Sequence, residues 1–333
     1  MPKRTVDLGA RAPLLDIVSY GRRGPGRRDT ITPAQRYHIE RTVRRTPEVM
    51  IKVSGGGRSL KAVKDHIKYI DREGNLDLET DEGERLNGDE AAMRLIEDWD
   101  LDLDAHRRQA TVAVTERRKP PRLVHNLIFS MPAHTPPQKL LAAVRKFAQE
   151  EFALQHRYAM VLHTDQKHPH VHVVVKAMSE EGVRLNIRKA TLREWREEFA
   201  RHLREQGIAA NATDRAIRGA TTNRKSDGIY RAVLRGSSTH MRERIESVHR
   251  ELINQDIRVE PGKSQLMATR RAVDQGWRRV SELLGQESRR ELAAEVRRFV
   301  DRMSPALTEK EWIGQKLGVQ LTNTHVREAK LEK

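Results

Sequence analysis

The residues best suited to chemistry are four histidines within ten positions, in the segment HTDQKHPHVH that runs from His163 to His172. Side chains alternate along a β-strand, so His170 and His172 point to one face, and the valines that alternate with them point to the other. His163 ends the preceding apolar run, and a hairpin would bring its ring to the same face. Three imidazoles that leave coordination positions open predict a catalytic divalent metal site.

The surroundings of these histidines narrow the chemistry. Asp165 is predicted to accept a hydrogen bond from the second nitrogen of one ligand, with direct ligation as the alternative. His168 is a candidate fourth ligand. The chain has no cysteine, which excludes thiolate ligands and disulfides. Imidazoles suit Mn²⁺, Zn²⁺ or Ni²⁺, whereas abundance and phosphate oxygens favour Mg²⁺, so we expect Mg²⁺ or Mn²⁺.

A tyrosine is the candidate nucleophile, since the chain lacks both cysteine and a recognisable nucleophilic serine motif. Tyr69 follows a Gly-rich turn and lies between Lys68 and Arg72, whose charges favour a phenolate and attract phosphate. Attack on a phosphodiester would keep the bond energy in a phosphotyrosine, and the chain has no Walker motif. Helical position alone predicts only a half-exposed surface tyrosine. Tyr158 and Tyr230 are weaker candidates, one in a predicted strand and the other near a domain edge.

The elements that must position these residues can be read from apolar spacing. A strand is predicted at Val49–Val53 and a helix from a Ser59 N-cap to Gly74. A second helix is predicted after Thr135-Pro136, and a third opens with a Thr191–Glu194 capping box and stops at Gly207. Further strands are predicted at Leu123–Met131, Tyr158–His163, His170–Lys176 and Val183–Ile187. The pattern predicts an α+β domain over 47–225, with a central, mainly antiparallel sheet flanked by helices.

Charge and composition suggest the partner. The chain has 63 Lys+Arg against 47 Asp+Glu, a formal net charge of +16 that favours a polyanion such as nucleic acid. Residues 1–46 are predicted to form a basic, largely disordered arm, residues 77–104 an acidic face that avoids DNA, and residues 233–333 an all-helical region. No apolar run is long enough to span a bilayer and no signal peptide is recognisable, so we expect a cytoplasmic protein without membrane insertion.

Three motifs carry a resemblance to a known family. The pattern His163-x-Asp165-x-x-x-Pro169-His170-x-His172 resembles the third motif of VirD2-like, MOB-P class relaxases, which are HUH endonucleases. His66–Gly74, after Gly55-Gly56, is similar to the first motif, and Val124–Pro132 to the second. The resemblance covers about residues 48–207. One departure is Lys176, where family members often have Asn after the valines.

This resemblance implies specific roles. Tyr69 would be the nucleophile, on a helix that faces the metal ligands His163, His170 and His172, with Asp165 as the supporting carboxylate. Ser130 would contact the DNA backbone, although a hydroxyl that merely closes a strand explains it equally well. The DNA contacts are predicted to include Lys68, Arg72 and Arg58.

The implied activity is strand-specific nicking of single-stranded DNA at an origin of transfer, with a 5′-phosphotyrosine at Tyr69. Accessory relaxosome proteins and a type IV secretion coupling protein are the expected partners. Three alternatives stay open at this point. They are a rolling-circle initiator or transposase with the same chemistry, a non-catalytic DNA-binding relaxosome protein, and a metal hydrolase that uses water.

Overall fold

Six strands form one antiparallel sheet in the computed structural model, which describes residues 16–22, 30–101, 119–220, 232–233, 235–254 and 259–318. The strand order is β1-β4-β6-β5-β2-β3, and every pair is antiparallel. This architecture confirms the predicted α+β class. The strands are β1 (Met50–Gly55), β2 (Leu78–Thr80), β3 (Arg85–Leu86), β4 (Val124–Ser130), β5 (Tyr158–His163) and β6 (His170–Lys176).

Helices cover both faces of the sheet and also form a separate cluster. Among the residues with described positions, no helix is long and apolar enough to cross a membrane. The helices are α1 (Ile17–Arg22), α2 (Pro33–Val43), α3 (Leu60–Ile70), α4 (Ala91–Asp98), α5 (Pro137–Glu151), α6 (Lys189–Glu205), α7 (Thr239–Ile253), α8 (Lys263–Gln286) and α9 (Arg290–Asp301), followed by a helical stretch at 309–318.

The sheet separates two hydrophobic cores. Val171, Val173 and Val175 of β6 pack with α5 and α6 on one face. Val174 packs with α3 and α4 on the other face. Every residue of β6 is therefore buried, as expected for a central strand covered on both sides. His170 and His172 share the face of Val174, because side chains alternate along the strand.

Two local predictions are wrong. Val183–Ile187 forms no strand and makes only a single bridge, between Met178 and Arg184, since Val183 is 62% exposed and has no sheet face to cover. The predicted capping box is also misplaced. Helix α6 begins at Lys189, and the Thr191 hydroxyl accepts a hydrogen bond from the Arg188 N–H at 3.4 Å from within the first turn.

The acidic segment contains two strands that composition did not predict. β2 and β3 extend the sheet beyond β5, and their neighbourhood pairs acids with buried or half-buried arginines. Arg145 makes a bidentate contact with Glu79, and Arg157 lies 2.7 Å from both Asp81 and Asp98. Several of these acids thus stabilise the fold.

The chain divides into two compact units. One comprises Arg45–Ala212, and the other comprises Met1–Arg44 with Thr213–Lys333. The first unit begins and ends at one place, where the Val49 N–H donates to the Asn211 carbonyl at 2.9 Å. Its end lies before the predicted 225, because Ile217 belongs to the core of the other unit.

The expectation of a largely disordered N-terminal arm is wrong for α1 and α2. Thr32 and Gln35 form a capping box at the start of α2. Ile17 and Ile39 are fully buried with Trp277 in the core of the second unit. Burial of apolar side chains offsets the cost of ordering these basic segments. The other residues of 1–46 that were predicted as disordered, 1–15 and 23–29, lie outside the described part of the chain.

Candidate active site

Three histidines converge on the α3 side of the sheet. His163 and His170 are directly opposed in the β5–β6 hairpin, and His172 lies two residues along β6. All three side chains are buried, and one potential ligand atom from each lies within 4.8 Å of the others. Their ring centroids are 4.6–5.1 Å apart. The predicted set is therefore brought together.

Hydrogen bonds orient two of the rings. His170 Nδ1 lies 3.1 Å from the His168 carbonyl oxygen, so this nitrogen carries the proton and Nε2 keeps its lone pair. His163 Nε2 lies 2.5 Å from the Ile70 carbonyl oxygen, which leaves the lone pair on Nδ1. His172 Nδ1 is buried and has no hydrogen-bond partner among the described residues. Lone pairs in a buried, three-imidazole set fit a divalent cation.

Burial also keeps the imidazole rings uncharged, which is the form that binds a metal ion. It lowers the pKa of His172 to about 3, helped by the neighbouring His163 and His170. Burial likewise lowers the pKa of His163. Both imidazoles are consequently neutral at pH 7 without any cation present, so a metal ion would not have to displace protons from them.

Tyr69 faces this cluster from α3. The helix buries Val63, Ile67 and Ile70 in the core, which leaves Tyr69 54% exposed, as the helical spacing predicts. Its ring lies edge-on to that of His172, with 6.4 Å between centroids. An exposed phenol beside three buried imidazoles can be reached by a phosphodiester from solvent.

The turn between β1 and α3 sets the position of this helix. A Cβ on Gly56 would lie 2.3 Å from the Val124 carbonyl oxygen, and one on Gly57 would lie 2.5 Å from a methyl carbon of Val63. Only glycine allows the chain to pass this close to β4 and α3. The Ser59 hydroxyl then accepts a hydrogen bond from the Ala62 N–H and caps α3.

Arg72 contacts both Tyr69 and the histidine hairpin. It follows α3 with a left-handed φ of 56°, and its Nη2 lies 2.5 Å from Asp165 Oδ2 and 3.4 Å from His163 Nδ1. Its guanidinium carbon lies 5.4 Å from the centroid of the Tyr69 ring, within cation–π range. A contact of Arg72 with DNA stays a prediction; its protein contacts are with Asp165, His163 and Tyr69.

Asp165 does not contact a ligand as predicted. Its Oδ1 is 4.0 Å from His163 Nδ1, too far for a hydrogen bond, because the carboxylate pairs with Arg72 instead. Burial raises the pKa of Asp165, but the hydrogen bond and the charge of Arg72 together outweigh this and hold the pKa below its usual value. Asp165 therefore contacts Arg72, whose Nη2 in turn lies 3.4 Å from His163 Nδ1.

Ser130 is beside the histidines but is not available to solvent. It is paired with His170 across β4 and β6 and is 6% exposed. Its hydroxyl approaches the carbonyl oxygens of Pro169 (3.3 Å) and Met131 (3.4 Å). These contacts fit the strand-closing interpretation and hold the backbone just before His170.

The other candidates take no part in the cluster. His168 is exposed and contributes only its carbonyl oxygen, while Lys68 and Arg58 are half-buried. Tyr158 is 1% exposed, and burial raises its pKa to about 12, with further contributions from Asp81 and Glu79. This phenol cannot be reached from solvent and is difficult to deprotonate, so it is a poor nucleophile. Tyr230 lies outside the described residues.

His66 is a member of the site that the sequence did not reveal. Its ring is stacked with Tyr69 at 6.3 Å and edge-on to His172 at 6.4 Å. Its Nε2 is buried and has no hydrogen-bond partner in the described part of the chain, and burial lowers the pKa of the ring. The spacing of three residues from Tyr69, about one helical turn, was the available signal.

Comparisons with known proteins agree with this geometry. Residues 78–208 match the family described as "Relaxase: MobA/VirD2-like, nuclease domain". The match contains all three histidines, and Tyr69 precedes it. Residues 78–208 are thus similar to a MobA/VirD2-like relaxase nuclease domain.

Three curated relatives carry the name T-DNA border endonuclease VirD2. Those of Agrobacterium fabrum and Rhizobium radiobacter are 26% and 27% identical over 210 and 194 residues, and the one of Rhizobium rhizogenes is 23% identical over 199. The first two alignments cover 59% and 52% of this chain, and 46% and 43% of the relatives. The chain therefore spans less than half the length of these relatives.

A solved structure from work titled "Molecular Basis of Vancomycin Resistance Transfer in Staphylococcus aureus" was also matched, at 13% identity and a TM-score of 0.29. The alignment covers 51% of this chain and 99% of that one. A score this low supports no conclusion about the fold.

Proposed function

We propose that this protein nicks one strand of DNA by transesterification, with Tyr69 as the nucleophile. The observation that carries the proposal is an exposed Tyr69 ring 6.4 Å from His172, one of three buried, converging histidines. The phenolic oxygen attacks the scissile phosphorus and the bond to the 3′ oxygen breaks. The phenol loses its proton to solvent and the 3′ oxygen gains one, so the products are a 3′ hydroxyl and a 5′-phosphotyrosine.

His163, His170 and His172 would hold a divalent cation, for which we propose Mg²⁺ or Mn²⁺. When bound, such a cation orients a non-bridging phosphate oxygen and neutralises its charge. Arg72 orients the Tyr69 ring and places a positive charge where the phosphate must enter. The His66 ring stacks on the Tyr69 ring and restricts the motion of the phenol.

The proposed substrate is single-stranded DNA at an origin of transfer of a mobile element. Names of the relatives support an endonuclease acting at a defined DNA site. We further propose accessory relaxosome proteins and a type IV secretion coupling protein as partners. A 5′-linked strand keeps the energy needed to rejoin its ends after transfer.

Covalent capture of a labelled strand tests the proposal. Single strands that tile the element carrying this protein are labelled at the 3′ end and incubated with protein and Mg²⁺ or Mn²⁺. Label on the denatured protein is expected with the wild type and is expected to vanish with EDTA or with Tyr69→Phe. Tyr37→Phe is the matched control, since Tyr37 is also exposed, at 57%, but lies in the other unit.

The alternatives give different results. Cleaved strands without attached protein would indicate hydrolysis by water, and label on the Tyr69→Phe protein would place the nucleophile elsewhere. DNA binding without any cleaved or linked product would indicate a non-catalytic protein. Cleavage at a replication origin or at element ends would replace the proposed substrate by that of an initiator or transposase.

A further inference from the structure

The positive charge of this protein is concentrated in the unit that does not contain the clustered His163, His170 and His172. Residues 1–44 and 213–333 contain 35 Lys+Arg and 21 Asp+Glu, a formal charge of +14. Residues 45–212, which carry Tyr69 and the histidines, contain 28 and 26, a charge of +2. We call residues 45–212 the nuclease unit and residues 1–44 with 213–333 the helical unit. The nearly neutral nuclease unit attracts phosphate weakly at long range, whereas the helical unit attracts it strongly.

Part of this charge stands on two helices that pack together. α8 and α9 run antiparallel, with the Ser281 hydroxyl donating to the Ala293 carbonyl at 3.0 Å. Their apolar side chains, among them Trp277 and Phe299, fill the core of the unit. At about 100° per residue, the opposite surfaces carry Arg271 and Arg278 on α8 and Arg290 and Arg298 on α9.

These four arginines are exposed, and no ion pair is recorded for any of them within the described ranges. Nearby arginines are neutralised instead, as Arg270 is by Asp274 and Arg279 by Glu282. Seven residues separate Arg271 from Arg278, so they share one face two turns apart. Charges that have no ion-pair partner among the described residues are available to an external anion.

We propose that the exposed faces of α8 and α9 bind the phosphate backbone of duplex DNA, independently of base sequence. Duplex DNA carries one negative charge per about 1.7 Å of its axis, and its counterion release per contacted phosphate exceeds that of a single strand. The helical unit thus supplies most of the affinity for DNA, and the nuclease unit acts on the strand that it receives. The inference goes beyond cleavage, because duplex binding requires no turnover.

Binding of the full chain to a labelled 30-base-pair duplex of arbitrary sequence, in EDTA, tests this surface. Arg271, Arg278, Arg290 and Arg298 are replaced together by Gln. The control replaces Lys119, Lys139, Lys146 and Lys189 of the nuclease unit by Gln, which are also exposed and cost the same charge. We expect about tenfold or more weaker binding for the arginine variant, and a salt slope reduced by up to about 3.6, at 0.9 per contact.

For the lysine variant we expect a change of less than about threefold. Equal weakening by both variants would mean that only net charge matters, and would overturn the proposal. Tighter binding of a single-stranded RNA of equal length than of the duplex would also overturn it. Circular dichroism excludes misfolding as the cause. Adduct formation on a short single strand separates this test from the proposed nicking, since the arginine variant should keep it within about twofold.

Discussion

At the scale of single residues, the least expected feature is the position of Arg72. The sequence predicted only that Arg72 attracts DNA. In the structure its guanidinium contacts Asp165, His163 and the ring of Tyr69. Its left-handed backbone, with Glu73 in the same conformation, ends α3 and turns the guanidinium back toward the histidines. In the proposed mechanism Arg72 is therefore a positioning residue, because it connects the helix of Tyr69 to the hairpin of the three histidines.

Replacement of Arg72 by Gln should slow formation of the covalent adduct by roughly 10- to 100-fold, because misplacement of the nucleophile is costly. The pair is partly exposed, so stability should fall by only about 1 kcal/mol or less. Single-turnover capture and urea unfolding measure the two effects. Lys68→Gln is the control, since that cation has no recorded contact with the site. Equal effects of both variants would reduce Arg72 to a general source of positive charge.

At the scale of elements, the turn after β1 determines where the tyrosine helix lies. Gly56→Ala should destabilise the protein by about 1–3 kcal/mol, because the new Cβ would overlap the Val124 carbonyl. Gly55→Ala provides the comparison, since no atom lies within 4 Å of its Cβ position, and should change stability by less than about 0.5 kcal/mol. Urea midpoints of the two variants test this. A Gly56→Ala protein as stable as the wild type would mean that the turn can relax.

Strand β4 contains a pH-sensitive group, His125, on the sheet face opposite the three clustered histidines. Burial, together with the charges of Arg122, Arg184 and His156, lowers the pKa of His125 to about 4. Between pH 6.5 and about 4 the unfolded chain binds a proton here that the folded chain does not. Stability should therefore be unaffected by this group above pH 6.5 and fall as the pH decreases through that window.

The contribution of His125 can be isolated by His125→Gln. Relative to the wild type, this variant should lose less stability between pH 7.5 and pH 4.5, by an amount of at most about 3 kcal/mol. Urea unfolding at each pH measures it, and His240→Gln controls for loss of an exposed imidazole. Parallel pH curves for the wild type and His125→Gln would show that His125 is not the group responsible.

At the scale of the whole molecule, the nuclease unit is inserted within the sequence of the helical unit. Its two ends are hydrogen-bonded to each other, and it has two cores of its own on either side of the sheet. The helical unit is built from both ends of the chain, and Ile17 of α1 packs so closely on α8 that a Cβ on Gly276 would lie 2.0 Å from its carbonyl oxygen. The helical unit therefore needs both ends of the chain, whereas the nuclease unit is one continuous segment.

A fragment of residues 45–212 should fold by itself, with cooperative unfolding and a thermal midpoint that rises on addition of Mn²⁺. A fragment of residues 213–333 should fold poorly, because loss of α1 and α2 exposes Trp277 and its neighbours. Circular dichroism and calorimetry of the two fragments test this. A disordered 45–212 fragment would mean that the two units stabilise each other.

The sequence alone determined the features that depend on local order along the chain. Alternation placed His170 and His172 on one face, turn and cap residues marked the ends of α3, and a short polar loop predicted the β5–β6 hairpin, which the structure confirms. Composition gave the wrong result for the N-terminal helices and missed β2 and β3. Their order comes from partners far along the chain, such as Trp277 for Ile17 and Arg145 for Glu79.

Only the tertiary structure decided which groups meet around Tyr69. The contacts of His66 with His172 and of Arg72 with Asp165 depend on how α3 packs on the sheet, and the burial of the Ser130 hydroxyl depends on the pairing of β4 with β6. The division of charge between two units likewise requires knowing that the ends of the chain fold together. Sequence periodicity specifies the face of an element, but distances between elements arise from packing, which joins residues that are remote in sequence.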